Sequence, residues 1–293
     1  MAVKQARRRR DQTTAPTRRL GPTEVAGAAQ LACVLEVSAE KPGNVTPRHD
    51  FADTSYEDML RSAIALGPEI GRAAGRGVGE TVLAAVRATR RVAGANTNLG
   101  IALLLAPLAR AALTGADVGQ VLDGLTLADA EAAYAAIRLA APGGLEAPVE
   151  HDVRGVPGVS LRAAMAAAAE RDSIAAEYAN DFEITFGIGL PVLRQTLDAG
   201  LPVREAVVEV FLRLLADVPD TLIARKRGRE VAERVSAGAA RALAAGGVRS
   251  DAGRSAVAQL DASLRVDGNA LNPGTTADLV TAVLFVALLD GRL

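Results

Sequence analysis

Apolar residues in this chain recur in alanine- and leucine-rich runs, and nowhere do they alternate with polar residues at the spacing of a strand for more than a few positions. That pattern predicts an all-α fold, with helices packed closely through small side chains. Apolar residues make up 49% of the chain and aromatic ones only 3%, so a sizeable core must be filled by aliphatic side chains rather than rings. The lone cysteine, Cys33, cannot form an internal disulfide and sits in the first apolar run, which suits buried filler in a reducing cytosol.

Capping residues and Pro/Gly breaks divide the sequence. A helix is expected from an N-cap at Thr23 to about Ser38, then a loop over 40–54, then a helix capped by Ser55 and Asp58 that ends near Gly71. The spacing predicts further helices over Thr81–Ala93, after Asn98 with a kink at Pro107, and as two short pieces within 117–140, the second capped by Thr126. The cluster from Pro142 to Gly158 reads as a long loop or a seam between helical subdomains. Beyond it, helices are expected at about 160–180, 184–199, 203–217, 219–226, 229–245, 251–265 and 275–289. The organisation expected is a basic disordered tail over 1–22 and one compact helical domain over 23–293.

Residues 1–19 hold seven of the cations against Asp11 alone, leaving 26 basic and 33 acidic residues in the body. An acidic body argues against nucleic-acid binding by the fold itself. No apolar run is long enough to span a bilayer, and no apolar segment of a secretory signal follows the basic tail, so a soluble, cytoplasmic protein is expected. An alanine-rich helical surface is compatible with a homodimer, although no segment marks an interface.

His49 and His151 stand far apart and no Cys/His spacing fits zinc. A Walker A loop, a nucleophile elbow and an adequate Rossmann fingerprint are also missing. Five polar segments at expected helix ends remain. Lys41-Pro42-Gly43, preceded by Glu36 and followed by Asp50, holds one of only three lysines, in a chain that otherwise uses arginine. Keeping lysine there favours a compact ammonium over a planar guanidinium. Asn96-Thr97-Asn98 and Gly274-Thr275-Thr276 each precede an apolar helix, whose first N–H groups suit a phosphate. Asp220 and Thr221 run into Arg225-Lys226-Arg227-Gly228, which joins an acid able to hold Mg²⁺ to cations able to hold phosphates. Asn180-Asp181-Phe182-Glu183 adds carboxylates before Gly187-Ile188-Gly189. Taken singly, each segment reads as an ordinary helix cap; the Asn96, Gly274, Asp220 and Asn180 segments together point to a nucleotide site.

By these segments the chain resembles the ATP-dependent triphosphoribosyl-dephospho-CoA synthases over about residues 24–290. Their early acid, Lys-Pro-Gly and acidic loop correspond to Glu36, Lys41-Pro42-Gly43 and Asp50, and their Asp-Thr with a basic exit corresponds to Asp220-Thr221 through Gly228. Their Ser-Pro-Gly-Gly-(Ala/Ser)-Ala-Asp-Leu element is similar to Asn272-Pro273-Gly274-Thr275-Thr276-Ala277-Asp278-Leu279. Their Asn-Thr-His-Lys-Gly reads here as Asn96-Thr97-Asn98-Leu99-Gly100, which removes a titratable group and a cation and marks a divergent branch.

The resemblance implies an all-helical enzyme that moves the triphosphoribosyl group of ATP onto a hydroxyl of dephospho-CoA or a related coenzyme, with release of adenine and use of Mg²⁺. It implies phosphate binding by Lys41, Arg225, Lys226 and the Gly274, Thr275 and Thr276 backbone. Asp220 and Asp278 would hold Mg²⁺, and Asn96 and Asn98 would orient a ribose or base edge. Glu183 or Asp50 would be the general base, with Glu36 a further catalytic carboxylate. Two alternatives stay open: an Mg²⁺-dependent enzyme on another nucleotide or ribosylated one-carbon coenzyme, and a non-catalytic helical binding protein.

Overall fold

The computed structural model describes residues 20–94, 97–141 and 153–293. The described residues form fourteen α-helices and no strand beyond an isolated bridge between Thr46 and His49. In order they are α1 (Pro22–Val37), α2 (Tyr56–Ile70), α3 (Val78–Arg90), α4 (Leu99–Thr114), α5 (Val118–Asp123), α6 (Leu127–Ala140) and α7 (Leu161–Ala168). There follow α8 (Ser173–Ala179), α9 (Leu190–Asp198), α10 (Val203–Asp217), α11 (Thr221–Arg227), α12 (Arg229–Ala244), α13 (Asp251–Leu264) and α14 (Gly274–Leu289). A π-helical turn, Ile184–Gly189, leads into α9. No described helix is long and apolar enough to cross a membrane. Residues 1–19 of the expected tail over 1–22 and most of the 142–158 cluster lie outside the described residues, and Pro22 belongs to α1 rather than to a tail.

Helix starts follow their caps. Ser55 and Asp58 exchange hydrogen bonds, Asp58 N to Ser55 Oγ and Ser55 N to Asp58 Oδ2, both at 3.1 Å, and Thr126 and Asp129 repeat the arrangement. Thr23 is not the N-cap of α1. The helix begins one residue earlier with Pro22 at its first position, where a missing N–H costs nothing, and Glu24 reaches back to the Gly21 N–H at 2.8 Å. The single helix expected over 160–180 is two, because Asp172 ends one run and caps the next, accepting from Ile174 N and Ala175 N.

At the centre lies α14, apolar on every side and packed against α1, α4, α10 and the π-helical turn. A helix without a polar face has to be enclosed, and Leu279 through Ala287 are buried. α4 is likewise buried from Leu99 to Ala109, although Pro107 lies inside it. Proline there cannot donate to the carbonyl of Leu103. Tyr178 of α8 supplies the missing donor, its hydroxyl 2.7 Å from Leu103 O. Pro68 in α2 frees Ile64 O in the same way, and Gln30 Nε2 of α1 donates to it at 3.0 Å. Gly67 makes room: a Cβ there would lie 2.3 Å from Gln30 Cγ. Both prolines therefore sit in unbroken helices because a packed neighbour completes the hydrogen bonding.

Replacing Tyr178 with Phe keeps the buried ring and removes only the donor. Urea unfolding is expected to show a loss of about 1–3 kcal/mol, the cost of an unpaired buried carbonyl. An unchanged midpoint would show that Leu103 O is satisfied otherwise.

Candidate functional site

A cleft of about 710 Å³ opens where the 40–54 loop meets the first turns of α4, α8, α11 and α14, with α6 and α7 as its far wall. Its lining combines two chemistries. Glu36, Asp278, Asp172, Arg225, Lys226 and Thr275 supply charged and polar groups. Leu103, Tyr134, Ile137, Ala140, Met165 and Ala168 supply a mainly apolar surface. Charged groups beside an apolar slot suit a ligand with a phosphorylated end and an uncharged organic end.

Lys41 is buried at 1% exposure and does not line the cleft. Its ammonium lies 3.0 Å from Glu36 Oε1 and donates to the carbonyls of Glu36 and Ala39, so its three protons are engaged within the fold. Glu36 does line the cleft. Burial raises the pKa of its carboxyl above the usual carboxylate range, and the Lys41 charge and hydrogen bond pull it back.

Asp220 and Asp278 differ sharply. Asp220 Oδ1 accepts from Leu222 N at 2.9 Å and Ile223 N at 3.0 Å, and Oδ2 accepts from Thr276 N at 2.8 Å and Thr276 Oγ1 at 2.9 Å. Four donors occupy all its lone pairs. Asp278 lines the cleft and makes no hydrogen bond among the described residues. Desolvation raises its pKa well above the usual range, and the nearby charges of Glu36, Asp220 and Asp172 add to the rise against the pull of Arg225. Its carboxylate rests on the first turn of α4, where only glycine fits: a Cβ on Gly100 would lie 2.0 Å from Asp278 Oδ2. No group of three or more His, Cys, Asp or Glu side chains is arranged to hold a metal among the described residues.

At the first turn of α14, Gly274 N bonds Asn272 O at 2.8 Å and Thr276 N is taken by Asp220. Gly274 and Thr275 line the cleft and Thr276 does not. Arg225 reaches the cleft from α11 and pairs with Asp172 Oδ2 at 2.6 Å, while Lys226 beside it donates to Asn269 O at 3.3 Å. Desolvation lowers the pKa of Lys226. Asn98 is buried and does not line the cleft, whereas its neighbours Thr97, Leu99 and Gly100 do. Asn96 lies outside the described residues.

Asp50 and Glu183 are exposed and stand outside the cleft wall. Asp50 accepts the Tyr56 N–H at 2.7 Å, and Glu183 precedes the π-helical turn, its carboxylate over Gly187. The carboxylate that organises that turn is Glu177, fully buried and accepting from Ile184 N and from both donors of Thr185; burial raises its pKa to about 7. Sequence reasoning passed over it, and over Arg90, Arg171 and Asp172 at the cleft. The Asp172-Ser173 step was a readable N-cap signal hidden inside an alanine-rich run.

Because Asp220 is a saturated cap, Asp220→Asn turns an amide N–H toward donors. Denaturant titration is expected to show a loss of about 1–3 kcal/mol. Full stability combined with lost activity would point instead to a direct role in the cleft.

The family model described as ATP:dephospho-CoA triphosphoribosyl transferase matches residues 22–293. A protein of Stutzerimonas stutzeri named "Probable 2-(5''-triphosphoribosyl)-3'-dephosphocoenzyme-A synthase" is 31% identical over 67% of this chain and 62% of its own length. The 2-(5''-triphosphoribosyl)-3'-dephosphocoenzyme-A synthase of Klebsiella pneumoniae is 34% identical over 36% of each chain. These matches span less than two thirds of the curated relatives' lengths. The crystal structure of a "putative triphosphoribosyl-dephospho-coA synthase from Archaeoglobus fulgidus" superposes with a TM-score of 0.62 at 30% identity, over 80% of this chain and all of that one. With the family model running from the first turn of α1 to the last residue, the chain belongs to the ATP:dephospho-CoA triphosphoribosyl transferase family.

Proposed function

We propose that this protein transfers the 5-triphosphoribosyl group of ATP to a hydroxyl of 3'-dephospho-CoA or a related coenzyme, with release of adenine. One observation carries the reading: in a chain of this family, a single cleft sets the carboxylates of Glu36 and Asp278 opposite the cations of Arg225 and Lys226. Glycosyl transfer from ATP needs both signs of charge, anionic groups beside a ribose that becomes positive and cationic groups around the triphosphate.

Arg225, Lys226 and Thr275 grip the triphosphate, and the apolar wall of α6 and α7 takes an uncharged part of a substrate. Mg²⁺ would come with ATP as part of the substrate and would offset phosphate charge beside Arg225 and Lys226. The acceptor hydroxyl oxygen attacks the anomeric carbon as the bond from that carbon to the adenine nitrogen breaks. The hydroxyl proton passes to Glu36, and adenine leaves with the bonding electron pair and takes up one proton. Asp278 faces the positive charge that builds on the ribose. In this reading Lys41 does not touch phosphate; it keeps Glu36 ionised and therefore able to accept a proton. Asp50 and Glu183, outside the cleft, take no part.

Mass spectrometry of the protein with MgATP and dephospho-CoA tests the reaction. Free adenine together with a triphosphoribosyl adduct is expected only when the acceptor is present. ADP or AMP without adenine would mean phosphate hydrolysis, and the absence of any ATP binding would favour the non-catalytic alternative.

The pH profile tests the roles of Glu36 and Lys41. A proton acceptor works when ionised, so turnover should rise with pH through the raised pKa of Glu36. Removing the Lys41 charge leaves the burial effect unopposed and raises that pKa further. Lys41→Met is therefore expected to shift the rising limb to higher pH, and Glu36→Gln to abolish the limb along with turnover. An unshifted limb in Lys41→Met would sink the assignment.

Gly100→Ala should push the Asp278 carboxylate out of place and cut adenine release by about a hundredfold, the usual effect of an ångström-scale misplacement. Unaltered turnover in this variant would remove Asp278 from the reaction.

A further inference from the structure

Asp172 uses its two oxygens for two different tasks. Oδ1 accepts from Ile174 N at 2.9 Å and Ala175 N at 3.2 Å, which caps α8. Oδ2 turns the other way and accepts from Arg225 Nη1 at 2.6 Å. The two side chains are 26% and 24% exposed and both line the cleft. Arg225 Nε is buried and has no hydrogen-bond partner, so Asp172 is the carboxylate that fixes where the guanidinium points. A second tie holds the same two helix starts together: Ser173 N donates to Thr221 Oγ1, which lies 3.3 Å from Thr275 Oγ1. Arg225 is thus carried on α11 but aimed from α8.

We infer that Asp172 is a positioning residue for triphosphate recognition, holding the Arg225 guanidinium where it meets the phosphates. The inference rests on the proposed transfer from ATP and adds to it a residue that touches no substrate. A guanidinium whose direction is already fixed loses less freedom on meeting a phosphate.

Electrostatics makes the inference testable by sign. Asp172 is an acid in a cleft proposed to hold a polyanion. If its charge acted only through space, removing it would tighten anion binding. If it positions Arg225, removing the charge loosens binding. Asn caps a helix about as well as Asp, so Asp172→Asn separates the ion pair from the cap.

The experiment is calorimetric titration of the full chain with inorganic tripolyphosphate, together with steady-state kinetics on MgATP, for wild type, Asp172→Asn, Asp172→Ala, Arg225→Met and the Asp172→Asn/Arg225→Met pair. Asp172→Asn should keep the wild-type melting temperature, bind tripolyphosphate about ten- to a hundredfold more weakly, and raise KM for MgATP with little change in kcat. In the Arg225→Met background it should cause no further loss of binding. Binding by wild type that is unchanged or tighter in Asp172→Asn overturns this inference and leaves the proposed reaction standing. Equal falls in melting temperature for Asp172→Asn and Asp172→Ala also overturn it, since the cap would then carry the effect. If wild type neither binds tripolyphosphate nor releases adenine, the proposed reaction fails and takes the inference with it.

Discussion

The Asp220 carboxylate is the interaction on which the cleft depends. It is 1% exposed, and its four donors come from two helices, the first turn of α11 and the first turn of α14. A buried carboxylate is tolerated only where hydrogen bonds replace its lost hydration. Here the replacement comes from N–H groups that the two helix starts would otherwise leave unpaired. One side chain thus satisfies two helix ends and fixes the distance between them. Because α14 is the central apolar helix and α11 carries Arg225 and Lys226, the same contact sets the cations against the core.

The pairing of Lys41 with Glu36 follows a similar logic at higher cost. Desolvating two charges is expensive, and a buried ion pair seldom stabilises a fold more than apolar residues of the same volume would. Its retention at the end of α1, where it also anchors the Lys41 ammonium to two backbone carbonyls, is better explained by the cleft. Without a cation nearby, burial would push the pKa of Glu36 higher still. Arginine in this position would be a planar fork, poorly matched to three acceptors converging on one point.

Much of the fold was legible because local chemistry decides it. Helix type, most of the boundaries and the Ser55 and Thr126 caps follow from spacing and side-chain donors within one turn. The donor that completes the helix at Pro107, Tyr178, was not legible, since it is distant in sequence. The site was legible in outline only. Motif segments at helix ends were found because Pro, Gly and charge mark them, but whether each charge faces the ligand or the fold depends on partners far away. Asp220 and Lys41 look like ligand-binding groups in sequence and are satisfied internally. Asp172, set in an alanine-rich run that reads as one continuous helix, looks like nothing and sits at the cleft.

Charge balance across the cleft separates Asp278 from its neighbours. Glu36 is backed by Lys41, Arg225 by Asp172, and Lys226 by the Asn269 carbonyl. Asp278 has neither an ion pair nor a hydrogen bond among the described residues, and it lies beside other carboxylates that disfavour its charge. Positive charge arriving from outside the protein favours the ionised form of an acid in that position. In the proposed transfer, a ribose losing its adenine supplies such charge at the anomeric carbon, and supplies more of it in the transition state than in ATP. An electrostatic contact that strengthens as the reaction proceeds is the kind that lowers a barrier rather than merely tightening binding. On that proposal, the cost of leaving Asp278 unpaired in the free protein is offset at the step where the glycosidic bond breaks.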